Sequence, residues 1–149
     1  LIIPGGESTV LSNLIMKQSL YDHLERFISK HPVYGTCAGL ILLSKIIENN
    51  QIVKSFEKLD ISVNRNAWGR QINSFISNLK IKEFDKTFKG IFIRAPKINK
   101  VSSNVDVLSS IDNSPVMVRQ DNFLGTTFHP ELSNDIRIHK YFIGMIESC

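Results

Sequence analysis

Short apolar runs alternate with amphipathic stretches through the first third of the chain. Leu1-Ile2-Ile3 is stopped by Pro4-Gly5-Gly6, the pattern of a buried strand that ends in a loop. Ser8 or Thr9 can cap a following helix, and Leu20, Leu24, Phe27 and Ile28 keep helical spacing further on. His31-Pro32 closes that helix, because a residue before proline is pushed out of the α region. Val33-Tyr34 predict a second short strand, closed by Gly35, and Ala38 to Ile47 predicts a helix so apolar that it must be buried. This β-α-β-α order calls for parallel strand pairing with helices packed on the sheet faces.

The second half is richer in strands. Ile61 to Val63, Gln71 to Phe75, Ile91 to Ile93, Val105 to Leu108 and Val116 to Arg119 each have the length and composition of one. Asp121-Asn122 is a turn signal, so Val116–Arg119 and Phe123–Phe128 are expected to form a hairpin. Ser133 is the expected N-cap of a last amphipathic helix carrying Ile138, Tyr141, Phe142, Met145 and Ile146 on one face. With no repeat, low-complexity segment or linker, the pattern is that of one α/β domain with an antiparallel excursion in its second half.

Composition narrows the class. At 149 residues and 42% apolar, the chain suits one globular domain that needs no disulfide or metal to hold it. The longest apolar stretch, Leu40–Leu43, is far too short to span a membrane, and the opening residues lack the basic region of a signal peptide. The net charge of +4 is spread along the chain without basic blocks or interleaved aromatics, which argues against a nucleic-acid partner. Two cysteines, Cys37 and Cys149, could pair by count, but a chain end is a poor anchor. A reducing, cytoplasmic setting fits better, and the interior Cys37 then needs a reason.

Three motifs supply candidate chemistry. Gly35-Thr36-Cys37-Ala38-Gly39 lies between a strand and a buried helix, where small residues permit a sharp turn that presents Cys37 as a nucleophile. The helix N-terminus would favour its thiolate, and the Ala38 N–H is free to bind an oxyanion. A buried structural cysteine is the alternative for a residue of this type taken alone. Phe128-His129-Pro130-Glu131 offers the partners: Pro130 forces His129 to be extended, and residues two apart then project to one side, so Glu131 can orient the imidazole. A surface His and a helix-starting Glu are the alternative. Pro4-Gly5-Gly6-Glu7-Ser8-Thr9 lacks the lysine of a phosphate loop, and its free N–H groups suit an oxyanion or a carboxylate, unless it is a plain turn. There is no Cys-x-x-Cys, no His pair at i, i+4 and no cofactor motif.

Taken together, the early PGGES, the mid-chain GTCAGLILLSK and the late FHPE resemble the class I (triad) glutamine amidotransferases. Arg65-Asn66-Ala67-Trp68-Gly69-Arg70-Gln71, Phe92-Ile93-Arg94-Ala95-Pro96 and Gly125-Thr126-Thr127-Phe128-His129-Pro130-Glu131 narrow the likeness to the glutaminase branch that serves pyridoxal 5'-phosphate synthase. The resemblance implies a three-layer open sheet, mostly parallel with antiparallel strands in the second half and helices on both faces. It implies a Cys37–His129–Glu131 triad and an oxyanion hole from the backbone of Gly6 and Ala38. Gly6, Glu7, Ser8, Arg65, Ile93 and Arg94 would hold L-glutamine. The partner it implies is the synthase subunit, which receives the ammonia. Another Cys-His-Glu hydrolase of the same fold, or a non-catalytic partner subunit, is the competing reading. The chain departs from the family pattern at Val10-Leu11-Ser12-Asn13, Trp68 and Asn73. The strand, loop and helix that precede PGGES in the family have no counterpart here, so a longer native chain is expected, with residues 1–149 as a single glutaminase domain.

Overall fold

The computed structural model of the chain describes residues 1–50, 52–65 and 74–148. A five-stranded sheet forms its centre. It is built from β1 (Ile2–Ile3), β2 (Val33–Thr36), β8 (Asp106–Ile111), β9 (Ser114–Gln120) and β10 (Phe123–Thr126), in the order β1-β2-β10-β9-β8. Strand β2 is flanked on both sides by parallel neighbours, with Ile3 opposite Gly35 on one side and Thr126 opposite Thr36 on the other. The expected hairpin is present: β9 and β10 run antiparallel with Phe123 opposite Gln120, joined through Asp121-Asn122 with Asp121 at φ +48°. Positive φ suits a two-residue hairpin link and an Asp.

Period-two alternation sends neighbouring strand residues to opposite faces of this sheet. Val33 and Val118 join one core with Ile28, Leu40, Leu43, Leu59 and Ile98. Tyr34, Met117 and Leu124 join the other with Phe88, Phe92, Phe128, Ile138 and Phe142. The first face is covered by helices α1 (Ser8–Lys17), α2 (Tyr21–Ile28) and α3 (Ala38–Leu43), and by a second sheet. That sheet is formed by β3 (Ser44–Ile47), β4 (Leu59–Asn64) and β7 (Lys97–Val101). The second face is covered by α4 (Arg137–Glu147) and by the antiparallel pair β5 (Ser74–Leu79) and β6 (Phe88–Ile93). The result is an α/β open sheet, helices on both faces, with parallel pairing around β2 and antiparallel pairing in the second half. Among the described residues no helix is long and apolar enough to cross a membrane.

Several boundaries differ from expectation for local reasons. The first helix is two helices, broken where Ser19 takes φ +54°. Neither Ser8 nor Thr9 caps α1; the Glu7 carboxylate accepts the Val10 N–H at 2.8 Å, and Ser8 sits buried inside the first turn. The helix predicted to reach Ile47 stops at Leu43. Ser44 turns extended, its hydroxyl donates to the Ile41 carbonyl at 2.7 Å, and the β-branched pair Ile46-Ile47 joins β4 as a strand. Ser133 does not cap the last helix. Its hydroxyl bonds the Pro130 carbonyl, while Asp135 accepts the Arg137 N–H at 3.1 Å. Of the strand expected over 71–75, residues 74 and 75 open β5 and the others lie outside the described residues.

Candidate active site

The site begins at the turn between β2 and α3. Cys37 holds φ 49° and ψ −100°, a conformation that costs about 1–3 kcal/mol and persists only where its surroundings impose it. Here they do. The Cys37 N–H donates to the Thr126 carbonyl at 2.8 Å, which ties the turn to β10. On the helix side, a Cβ at Gly39 would lie 2.0 Å from the Ile3 carbonyl oxygen, and one at Gly35 would lie 2.6 Å from the Gly39 backbone. The small residues of the motif thus let three backbone segments close to contact and hold Cys37 just past the C-terminal end of β2.

Cys37 is a free thiol, only 5% exposed, with its sulfur 3.9 Å from the Ile93 carbonyl. Burial pushes the thiol up to about 11. The Ala38 N–H lowers it, the Glu131 charge raises it, and the Gly6 N–H lowers it. The helix N-terminus does favour the thiolate, through the Ala38 N–H, but desolvation outweighs it and the Gly6 N–H together. Helix α3 has only six residues, and its Cys37 end offers little beyond those N–H groups.

His129 and Glu131 lie just beyond the same C-terminal end of β10 that receives the Cys37 N–H. His129 Nδ1 lies 2.7 Å from Glu131 Oε1; a carboxylate only accepts, so Nδ1 is the donor of this bond and Nε2 is the ring nitrogen left free of it. The imidazole is mostly buried and Glu131 is 41% exposed. The two side chains meet, although not by strand alternation. His129 is kept out of the α region by Pro130, at ψ 87°, but Pro130–Leu132 then form a 3-10 turn that curls Glu131 back over the ring. The His129 N–H donates to the Ile91 carbonyl at 2.8 Å, and this fixes the base against β6.

The Pro4–Thr9 loop joins the two halves. A Cβ at Gly5 would meet His129 Cε1 at 2.3 Å, so the loop backbone lies close against the imidazole. The next residue, Gly6 at φ +140°, turns its N–H toward the Cys37 sulfur. The Cys37 thiol, the linked His129 and Glu131 side chains and the Gly6 and Ala38 N–H groups are therefore brought together around one short segment. Of the remaining candidates, Arg65 donates to Glu7 Oε1 at 3.0 Å and to the Thr9 hydroxyl at 2.8 Å. Burial pulls the Glu7 carboxyl up, but the N–H groups of Val10 and Thr9, the Thr9 hydroxyl and Arg65 together hold it below its ordinary value. Ser8 is buried beneath this pair rather than open to the cleft. Ile93 ends β6 at 40% exposure, with its carbonyl toward the thiol, and Arg94 follows it at φ +44° with an exposed side chain. Asn66-Ala67-Trp68-Gly69-Arg70-Gln71 and Asn73 lie outside the described residues, as does Cys149.

Sequence reasoning passed over three residues that the structure places here. Gly5 was read as part of a loop that offers N–H groups to an anion, without a role against the imidazole, although two adjacent glycines before a helix are a signal for close approach. Tyr34 and Thr126 were read as strand residues. Nothing in their spacing sets them apart, since their hydroxyls meet across 92 positions of sequence.

Comparison with known proteins gives the chain's family. The SNO glutamine amidotransferase family matches residues 1–148. The chain is 53% identical over 148 residues to the pyridoxal 5'-phosphate synthase subunit PdxT of Fervidobacterium nodosum, covering 99% of this chain and 77% of that protein. It is 49% identical to the subunit of the same name from Thermosipho africanus, covering 99% and 78%. A crystal structure of a glutamine amidotransferase superposes with a TM-score of 0.91 at 38% identity, covering 99% of this chain and 78% of that one.

Proposed function

The chain belongs to the SNO glutamine amidotransferase family, and on that premise we propose that it is the glutaminase subunit of a pyridoxal 5'-phosphate synthase, hydrolysing L-glutamine to L-glutamate and ammonia. The observation that carries this reading is the convergence on the Gly5-Gly6 segment: the imidazole of the His129–Glu131 pair lies against Gly5, and the Gly6 and Ala38 N–H groups face the Cys37 sulfur. His129 Nε2 takes the thiol proton as Cys37 Sγ adds to the glutamine carboxamide carbon. The carbonyl oxygen becomes an oxyanion held by the N–H groups of Gly6 and Ala38. Collapse breaks the C–N bond, His129 returns its proton to the departing nitrogen, and ammonia leaves behind a glutamyl thioester. Water, deprotonated by His129, then attacks the thioester and releases glutamate and the Cys37 thiol. Glu131 steadies the imidazolium in both halves of the cycle.

Arg65 and Arg94 are the cations positioned for the α-carboxylate of glutamine, with Glu7 and the Gly6, Ser8 and Ile93 backbone completing the binding site. Ammonia in neutral water is protonated and no longer a nucleophile. The product is therefore useful only if a docked synthase subunit receives it through a dry passage, toward pyridoxal 5'-phosphate (vitamin B6) synthesis. A buried catalytic thiol needs reducing surroundings, which supports a cytoplasmic site. The test is glutamate release from glutamine by the chain with and without its synthase subunit, beside Cys37→Ala. Release that rises with the synthase subunit and vanishes in Cys37→Ala is expected. Undiminished release by Cys37→Ala overturns the triad, and release from γ-glutamyl peptides but not from glutamine overturns the substrate.

A further inference from the structure

Beneath the triad lies a buried chain of three polar groups that the reaction above does not use. Tyr34 in β2 and Thr126 in β10 are both fully buried, and their hydroxyl oxygens are 2.9 Å apart. The Thr126 hydroxyl also lies 3.1 Å from the Phe128 carbonyl oxygen. The direction of the chain follows from what each group can do. A carbonyl only accepts, so Thr126 spends its single proton on Phe128, and the phenol of Tyr34 must then donate to Thr126. Burial, opposed by the Thr126 hydrogen bond and reinforced by the Glu131 charge, raises the Tyr34 phenol, which keeps it a neutral donor.

Two members of this chain, Phe128 and Thr126, are tied to the residues of the proposed triad. The Phe128 carbonyl is half of the peptide that leads into His129; the other half, the His129 N–H, is bonded to Ile91 at 2.8 Å. The plane of that peptide is therefore fixed from both edges, and with it the direction in which the imidazole leaves the backbone. Thr126 acts on the nucleophile as well, because its own carbonyl accepts the Cys37 N–H at 2.8 Å. One residue thus holds the strained Cys37 turn with its main chain and the His129 peptide with its side chain. In a dry core each such bond polarises the next, and a donor lost there is not replaced by solvent.

We propose that Thr126, backed by the Tyr34 hydroxyl, is a positioning residue that sets the register between the Cys37 nucleophile and the His129 base. The proposal rests on the glutaminase reading above. Neither hydroxyl touches substrate, so their loss is expected in kcat rather than in KM. The experiment measures glutamine hydrolysis, with the synthase subunit present, by the unsubstituted chain and by Thr126→Val, Thr126→Ser, Tyr34→Phe and Cys37→Ala. Thr126→Val keeps the shape and removes the hydroxyl; kcat is expected to fall about tenfold or more, with KM held within about twofold. Thr126→Ser restores the hydroxyl and holds kcat within about threefold of the unsubstituted chain, which a purely steric role for the methyl would not do. Tyr34→Phe, which leaves the Thr126–Phe128 bond in place, lowers kcat about threefold. The proposal is overturned if Thr126→Val keeps full kcat, if Thr126→Ser falls as far as Thr126→Val, or if KM rises in step with the loss of kcat. Should Thr126→Val fail to fold, Tyr34→Phe decides alone, and unchanged kcat there overturns it. Absence of Cys37-dependent hydrolysis in the unsubstituted chain would instead remove the glutaminase reading itself, and this inference with it.

Discussion

Replacing Gly5 by Ala asks how tightly the loop holds the base. The added Cβ would stand 2.3 Å from His129 Cε1 and 2.9 Å from Nδ1. Ordinary carbon contacts begin at about 3.5 Å, so the ring must retreat by about 1.2 Å or the loop must lift by as much. Either movement breaks something specific. A retreating ring strains the 2.7 Å bond from Nδ1 to Glu131, and a lifting loop carries the Gly6 N–H away from the Cys37 sulfur. A misplacement of about 1 Å at a reacting group is worth about 10²-fold in rate, and that is the expected fall in kcat. Gly5, unlike Gly6, does not occupy positive φ, so its backbone accepts Ala and the fold should lose no more than about 1 kcal/mol. The assay is glutamate release with the synthase subunit bound, alongside a thermal melt. A double-mutant cycle completes it: in a His129→Ala background, Gly5→Ala should cost little further, because the ring it displaces is gone. If Gly5→Ala keeps kcat within about threefold with the melt unchanged, or lowers the rate equally in both backgrounds, the loop does not hold the imidazole.

Other perturbations reach other parts of the site. With Cys149 replaced by Ser, iodoacetamide should alkylate Cys37 about tenfold faster for each pH unit between 7 and 10, since burial pushes the thiol up to about 11; a plateau near pH 8 would contradict that. Arg65→Ala removes the partner of Glu7 and the proposed carboxylate contact, and should raise KM for glutamine about tenfold with a smaller change in kcat. Gly144 lies inside α4 with open space where a side chain would go, so Gly144→Ala should stabilise the fold by about 0.5–1 kcal/mol and raise Tm by about 2–4 °C without touching activity.

What sequence could and could not disclose divides along a physical line. Residues whose chemistry is local were legible. Gly35–Gly39 around a lone Cys, the His129-Pro130-Glu131 run and the Asp121-Asn122 hairpin each act through neighbours in sequence. The helix expected to reach Ile47 was misjudged because apolar runs carry no period, and only pairing with β4, fifteen positions further on, makes Ser44–Ile47 a strand. The cap of α1 went to Glu7 rather than Ser8 because Ser8 is drawn into the core, a tertiary decision. The net direction at the Cys37 thiol was out of reach for a similar reason. Helix-end donors are visible in sequence, whereas the burial that outweighs them is not.

That burial also determines how the triad must work, and Glu131→Gln exposes it. Ionising a thiol with a pKa of about 11 at pH 7 costs about 5 kcal/mol, against about 3 kcal/mol at the ordinary value of 9.0. On the proposed mechanism a resting thiolate would then be scarce, and proton transfer to His129 would accompany attack on the carboxamide, as the sulfur's developing charge passes to an oxygen facing the Gly6 and Ala38 N–H groups. Glu131 plays two opposed parts in this. Its charge raises the Cys37 thiol at rest, yet in the proposed cycle it would stabilise the imidazolium that forms when the proton moves. Glu131→Gln should accordingly speed alkylation of Cys37 at pH 9 while it lowers kcat for glutamine by about 10²-fold or more. Opposite signs in the two assays are the signature of a carboxylate that acts through the base. Were alkylation and turnover to fall together, Glu131 would be holding the site open rather than steering the proton, and were turnover unchanged, His129 would need no orienting partner.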